Sequence, residues 1–314
     1  HLGVQQKAIR YEHIPQLADN FMYTIEGLSV QALLGGLTEQ HVDGQFELMK
    51  GTLLLQSALN APLPARPLRV LVTAGDTSER IDAVRKIVNP ATGRLGSLTA
   101  DMFAMTGARV TYVCGQNAKM PAQEMEAVYT IESVEELDAV IGRVVAEGKF
   151  DCIVHSMAVS EYTLRRITTA HQLAADLSRV LEHETPRNVK ALVRETLCAA
   201  DAGHEGKRLP PNRKDLVMVM DPAPNIMAKM RTAQPAALLI GFLLLVGVTR
   251  ETLVGEAKKQ LRREGCDYVL ANDMEDIGEA HHRAVLVAAG GGVSELNTKQ
   301  EIAQAIVKCA LSRE

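Results

Sequence analysis

Several places in this 314-residue chain gather groups that bind anions or carry charge. Thr73-Ala74-Gly75-Asp76-Thr77 breaks the apolar run Val70-Leu71-Val72. A buried strand ending in such a turn aims backbone N–H groups at its carboxyl end, where open α/β sheets take ligands. Gly75 permits close backbone approach, and Thr73, Thr77 and Ser78 add hydroxyls. Asn89-Pro90-Ala91-Thr92-Gly93 is a second small, polar turn, ahead of a helix containing Gly96. Turns of this kind before helices bind anions; the same residues also make ordinary loops, because isolated glycine turns carry little information. Ser156 to Tyr162 follows the apolar Phe150–His155, and Asn272-Asp273 closes Tyr268-Val269-Leu270-Ala271, two further strand ends. His155 is read either as a catalytic group or as a packing and hydrogen-bonding residue. Glu205 to Lys214 holds Lys207, Arg208, Arg213 and Lys214 among prolines; composition alone favours a solvated basic loop.

The elements that must position these groups alternate. Val70 to Val72 opens a strand–helix–strand unit with a helix through Leu98–Thr106, closed by Gly107, and a β-branched strand at Ala108–Gly115. That order implies a parallel sheet with a right-handed crossover. Val128–Ile131 is a short strand, and Ser133 with Glu136 forms a capping box for a helix to about Gly148. Residues 163 to 205 read as helical. Asp215–Met220 is a strand, and a helix starts at Pro222. Leu238–Val248 is a strand plus turn, Thr249 caps a helix Glu251–Glu264 ended by Gly265, Val285–Ala288 is a strand, and Thr298–Leu311 is a closing helix. Residues 1–66 are expected to be a helical extension, set off by Pro62, Pro64 and Pro67 from a domain over 67–314. The fold class is α/β, a Rossmann-like, mostly parallel sheet flanked by helices.

Bulk properties narrow the function. Net charge is −4 and only 4% of residues are aromatic, which argues against a nucleic-acid partner or a base-stacking platform. The longest apolar run, Pro235–Val248, is shorter than the ~20 residues of a membrane helix. Five cysteines without paired spacing read as reduced thiols of a cytoplasmic protein, with Cys114, Cys152 and Cys266 in the core. No histidine, cysteine or carboxylate spacing assigns metal ligands.

The stretch Thr73–Gly96, TAGDTSERIDAVRKIVNPATGRLG, resembles the signature of the phosphopantothenate–cysteine ligase family, roughly TAGGT-x-E-x-[IL]-D-x-V-R-x-I-x-N-x-SSG-x-x-G. Thr73, Ala74, Gly75, Thr77, Glu79, Ile81, Asp82, Val84, Arg85, Ile87, Asn89, Gly93 and Gly96 fit; Asp76 replaces a glycine and Ala91-Thr92 replace paired serines. The resemblance continues in the same motif order to about residue 311. Ala158, Val159, Ser160 and Tyr162 match A-A-V-[AS]-D-[YF], with Met157 and Glu161 as departures. Gly206-Lys207 matches the start of the mobile G-K-I-S-S loop, Phe242 the aromatic beside the base, and Ala271-Asn272-Asp273 the final A-N-D. Leu243 stands where single-function ligases tend to have lysine. Glu264 and Gln260 stand where two-domain enzymes have lysines, while Lys258, Lys259, Arg262 and Arg263 lie alongside as substitutes or as solvated surface.

The resemblance implies a ligase that joins 4'-phosphopantothenate to L-cysteine through an acyl nucleotide, with Mg²⁺ and CTP or ATP, in a homodimer. It implies that Lys207 meets the transferring phosphate and Asn89 holds the acyl carbonyl. Arg85 takes the substrate's anionic end or a dimer contact, with Thr92 and Gly93 also on the substrate. Gly75, Asp76, Thr77, Ala158, Val159, Glu161, Phe242, Asn272 and Asp273 shape the nucleotide site. Two other readings stand beside it. A Rossmann oxidoreductase lacks support, since no G-x-G-x-x-G follows the first strand and no acidic residue ends the second. A non-catalytic nucleotide-binding relative draws its support from the departures.

Overall fold

The computed structural model describes residues 66–183, 188–199, 209, 212, 214–278 and 282–313. The expected helical extension over 1–66 lies, but for Arg66, outside the described residues, as does Lys207. In chain order the strands are β1 (Arg69–Ala74), β2 (Ser78–Arg80), β3 (Lys86–Val88), β4 (Arg109–Gly115), β5 (Ala127–Ile131), β6 (Cys152–His155), β7 (Tyr162–Thr169), β8 (Leu216–Pro222), β9 (Leu238–Leu245), β10 (Tyr268–Asp273), β11 (Ala284–Ala288) and β12 (Val293–Leu296). The helices are α1 (Arg94–Met105), α2 (Val134–Glu147), α3 (Ala170–His183), α4 (Val189–Cys198), α5 (Ile226–Ala233), α6 (Arg250–Glu264) and α7 (Lys299–Leu311).

Eight strands form one sheet in the order β12-β11-β10-β9-β6-β1-β4-β5. β10, β9, β6, β1, β4 and β5 run parallel; β11 and β12 are added antiparallel at one edge. The order reverses between β1 and β6, the topological switch point at which doubly wound sheets bind ligands beyond their carboxyl ends. Alternation along each strand divides the core into two faces. Val70, Val72 and Ala74 pack on one face with Phe103 of α1 and Ile302 and Ile306 of α7. Leu71, Val113 and Ile153 pack on the other with Leu137 and Ile141 of α2 and with Met230 of α5 and Leu261 of α6. Cys114, Cys152 and Cys266 are buried in these layers, as their apolar neighbours implied.

Capping follows the sequence closely. Ser133 Oγ accepts from Glu136 N at 3.2 Å, and Glu136 reaches back to Glu132 N at 2.7 Å. Thr249 caps α6, which ends on Gly265 at φ 66°. Among the described residues no helix is long and apolar enough to cross a membrane; the apolar run at 235–248 is β9 and its turn.

Three segments differ from expectation. Residues 162–169 are not helical: β7 pairs antiparallel with β8 in a two-stranded arm. Thr163, Ile167, Thr168 and Thr169 supply the β-branched preference, hidden in the pattern by Arg165 and Arg166. Arg165 pairs with Asp221 across the arm, and Arg166 is buried against Asp176 and the Thr196 carbonyl. The helix expected from Pro222 starts at Ile226, because Asn225 supplies the cap and Pro222 ends β8. β12 and the β2–β3 hairpin, each only three or four residues long, were too short to show a period.

Candidate functional site

The carboxyl ends of β1 and β6 are laced together across the switch point. Ser156 donates to the Thr73 carbonyl through N (3.1 Å) and Oγ (2.6 Å). Ala158 N donates to Gly75 O at 2.9 Å, and Thr77 N to Ala158 O at 3.1 Å. Thr77 Oγ1 accepts from Ser160 N at 2.8 Å and lies 3.0 Å from its hydroxyl. Gly75, Thr77, Ala158 and Val159, expected to share a nucleotide site, are thus brought to one place. Ser160, matched to the motif but given no role in the site, joins them with Ser156, which no motif position marked.

Two glycines make this lacing possible. Gly75 has φ 80°, a conformation open to glycine, and a methyl group there would stand 2.5 Å from Ala118 Cβ. A methyl on Gly96 would meet Ala74 Cβ and Ser156 Oγ at 2.5 Å each. The second small turn ends at Gly93, the N-cap of α1, with φ 68° and no side-chain cap; no acidic residue lies in the first turn. The N-terminal amides of α1 therefore face the switch point with the positive end of the helix uncompensated. Asp76 holds the turn by accepting from Ala91 N at 3.0 Å. Thr92 is exposed, as is Asn89, whose side-chain amide has no hydrogen bond among the described residues.

The β2–β3 hairpin between the two turns is organised by Asp82. Its Oδ1 accepts from Val84 N and Arg85 N at 2.8 Å each. Its Oδ2 accepts from Arg85 Nε (2.9 Å), Arg85 Nη2 (2.5 Å) and Leu209 N (3.0 Å). The Arg85 guanidinium and these amides hold the carboxyl well below the usual carboxylate range. Arg85 also donates to Leu209 O at 3.1 Å, so both peptide groups of buried Leu209 are gripped by the hairpin. Leu209 lies two residues beyond Lys207; the basic loop is tied to the signature stretch at that point.

The β9–β10 side completes the candidate site. Phe242 is half-buried on the α1–α7 face, and its carbonyl accepts from Gln260 Nε2 at 3.1 Å. Glu264 is buried and accepts from Asn225 Nδ2 at 2.7 Å. Lys259 pairs with Glu256 and Arg263 with Glu264. Lys258 and Arg262 line a cavity of about 190 Å³ with Ala288, Ala289 and Gly291, at the opposite end of the sheet. Asp273 accepts from Val248 N (2.7 Å), Glu275 N (2.9 Å) and Gly247 N (3.1 Å), which lower its pKa. Its carboxylate thus fixes the β9–α6 turn. Glu161 is exposed, and among the described residues its carboxylate has no partner.

Two buried histidines stay neutral. His155 Nδ1 lies 2.7 Å from Thr73 Oγ1; burial pushes its pKa down to about 4, against the pull of Glu264. His282 Nε2 lies 2.8 Å from Asn272 Nδ2, and burial, then Lys299, pushes its pKa to about 4. His282 sits in a stretch without periodicity, and no sequence signal pointed to it. Among the described residues no cluster of three potential metal ligands occurs.

Fold and site together define a doubly wound α/β domain with a cradle of backbone groups at its switch point. Residues 66–184 and 166–312 match the family of the DNA/pantothenate metabolism flavoprotein C-terminal domain, and the chain belongs to that family. It is 29% identical over 219 residues to the coenzyme A biosynthesis bifunctional protein CoaBC of Thermococcus kodakarensis, covering 70% of this chain and 44% of that protein. The chain thus spans about half the length of that curated relative. It is similar to the crystal structure of the DNA/pantothenate metabolism flavoprotein from Streptococcus pneumoniae, with a TM-score of 0.66, 27% identity, and coverage of 79% of this chain and all of that one. A Cab2 variant in complex with phosphopantothenate-cysteine shares the fold at a TM-score of 0.55 and 13% identity, over 87% of this chain and 94% of that one.

Proposed function

We propose that the protein is a nucleotide-dependent ligase joining 4'-phosphopantothenate to L-cysteine in coenzyme A biosynthesis. The observation that carries the reading is the cradle at the switch point: laced strand ends, the uncapped N-terminus of α1, and a basic loop anchored at Leu209 to the hairpin before it. Three anionic groups must meet there, and helix amides with a cation are what such a meeting requires. The phosphopantothenate carboxylate attacks the α-phosphate of the nucleotide and pyrophosphate leaves. The cysteine amine then attacks the acyl carbon, an amide forms, and the nucleoside monophosphate leaves.

Lys207 meets the transferring phosphate, Asn89 the acyl carbonyl, and Arg85, with Thr92 and Gly93, the substrate's anionic end. Gly75, Asp76, Thr77, Ala158, Val159, Glu161, Phe242 and Asn272 shape the nucleotide site, with Asp273 holding its edge. Mg²⁺ enters on the nucleotide's phosphates, as is usual for this hard cation. Asp76 suits it, since only one of its carboxylate oxygens is engaged, with Ala91 N. The relatives' names support the substrates, and the choice of CTP or ATP is open. A homodimer through the β7–β8 arm is supported by Tyr162, Leu216 and Met218, which the arm leaves exposed.

A non-catalytic nucleotide-binding role is the second reading. Glu264 and Gln260, buried and hydrogen-bonded where two-domain enzymes have lysines, favour it. Pyrophosphate release with phosphopantothenate, Mg²⁺ and CTP or ATP, with and without cysteine, decides between them. The ligase gives cysteine-stimulated release with one nucleotide, lost in Lys207→Ala. Nucleotide binding without release supports the second reading.

A further inference from the structure

The amide of Asn272 is fixed in one orientation. Nδ2 donates to the Arg283 carbonyl at 3.3 Å and faces His282 Nε2 at 2.8 Å. A carbonyl oxygen can only accept, so the nitrogen must lie on the Arg283 side; His282 Nε2 must then be the acceptor and Nδ1 must carry the hydrogen. That Nδ1 is fully buried and, among the described residues, has no partner. An unpaired buried donor destabilises the fold, so His282 is poorly explained as a packing residue: an apolar side chain would be better there. What it does is hold the Asn272 amide nitrogen towards the His282–Arg283 segment before β11, which leaves Oδ1 turned away from that segment. Among the described residues nothing donates to that oxygen.

The surface beside it is apolar. Asn272 is in register with Leu244, and Leu270 with Phe242. Phe242 and Leu270 lie on the α1–α7 face, and alternation puts Leu244 and Asn272 on that face as well. Leu244 is 51% exposed at the carboxyl end of β9. The face thus ends in a shelf of half-buried Phe242 and exposed Leu244, with Asn272, 5% exposed, at its edge. The open N-terminus of α1 lies on the same face, by β1, three strands away at about 14 Å, a span suited to a nucleotide with its phosphates on α1.

We infer that Asn272 Oδ1 accepts a hydrogen bond from the exocyclic amine of the nucleotide base, and that His282 is the positioning residue that holds it as an acceptor. The inference rests on the nucleotide reading above and adds selection of amino bases over oxo bases. Cytosine and adenine carry a donor at this edge; uracil and hypoxanthine carry a carbonyl, which would face Oδ1 oxygen to oxygen.

The test is equilibrium binding and pyrophosphate release with the full chain, comparing CTP with UTP and ATP with ITP. Wild type should prefer the amino member of whichever pair it uses by tenfold or more. In His282→Leu that preference should fall about tenfold while the melting temperature stays at or above wild type, because the unpaired donor is gone. His282→Gln, which can place an acceptor near the Nε2 position, should restore it. A preference unchanged in folded His282→Leu, or lost with stability and not restored by His282→Gln, overturns the positioning role. Wild type that binds CTP or ATP but takes the oxo partner equally well overturns the inference and leaves the ligase reading standing. Wild type that binds neither CTP nor ATP overturns both.

Discussion

At the scale of single residues, the site depends on backbone approaching backbone. A methyl at Gly96 has nowhere to go, since its neighbours at 2.5 Å are Ala74 on β1 and the Ser156 hydroxyl that holds the Thr73 carbonyl. Gly96→Ala should destabilise the protein by about 1–3 kcal/mol, the usual cost of overpacking, and weaken nucleotide binding beyond that loss. A urea titration alongside nucleotide binding checks it; unchanged affinity would mean the lacing is not part of the cradle. His155 carries a pH signature. Its folded pKa is near 4, while an unfolded histidine titrates near 6.5. Between those values the unfolded chain binds more protons, so stability falls as pH drops through that window. Other groups titrate there too, so the informative quantity is the difference between wild type and His155→Gln. From pH 7 to pH 5 the urea midpoint of wild type should fall more than that of the variant, and equal falls would mean the ring is not held neutral.

At the scale of elements, the hairpin grips the chain at Leu209, two residues beyond Lys207. Asp82 matched the family signature without any role being evident from it. Its function emerges only when Leu209, 127 positions later, donates to it; no local pattern encodes a contact that distant. The same limit explains the β7–β8 arm. Its strands are 8 and 7 residues long, and the alternation is blurred because Arg166 is buried through ion pairing. By contrast β1, β4, β6, β9 and β10 were legible as apolar runs bounded by glycine or polar turns, and α2 and α6 from their caps. Asp82→Asn removes the charge that grips Arg85 and keeps the shape. It should lower turnover by up to about 10²-fold, the scale of a small misplacement of a catalytic group, and speed tryptic cleavage after Lys207 or Arg208. Peptide mapping with steady-state kinetics reads both. If neither changes, the clamp on Leu209 does not position the loop.

At the scale of the whole molecule, the sheet consists of two wings joined at β1 and β6. The wing with β4 and β5 carries α1 and the hairpin; the wing with β9 and β10 carries Phe242 and Asn272. The motif order made that architecture readable, because an alternating chain with right-handed crossovers has few ways to wind. The cradle was readable only as turns, since the lacing between residues 73–77 and 156–160 depends on strand order. A nucleotide lying from α1 to β10 contacts both wings and cannot bind the unfolded chain. At a hundred times its dissociation constant, with Mg²⁺, it should add about 2.7 kcal/mol to stability. For a domain of this size each kcal/mol is worth roughly 2–4 °C, so the melting temperature should rise by about 5–11 °C. Pyrophosphate alone reaches only the α1 side, so it should bind more weakly and give a smaller shift at equal concentration. An equal shift with pyrophosphate at the same concentration would confine recognition to the phosphates and remove the base shelf from the site. At equal concentration the expected ordering is nucleotide above pyrophosphate above Mg²⁺ alone, because each ligand in that order spans less of the boundary between the wings and binds more weakly.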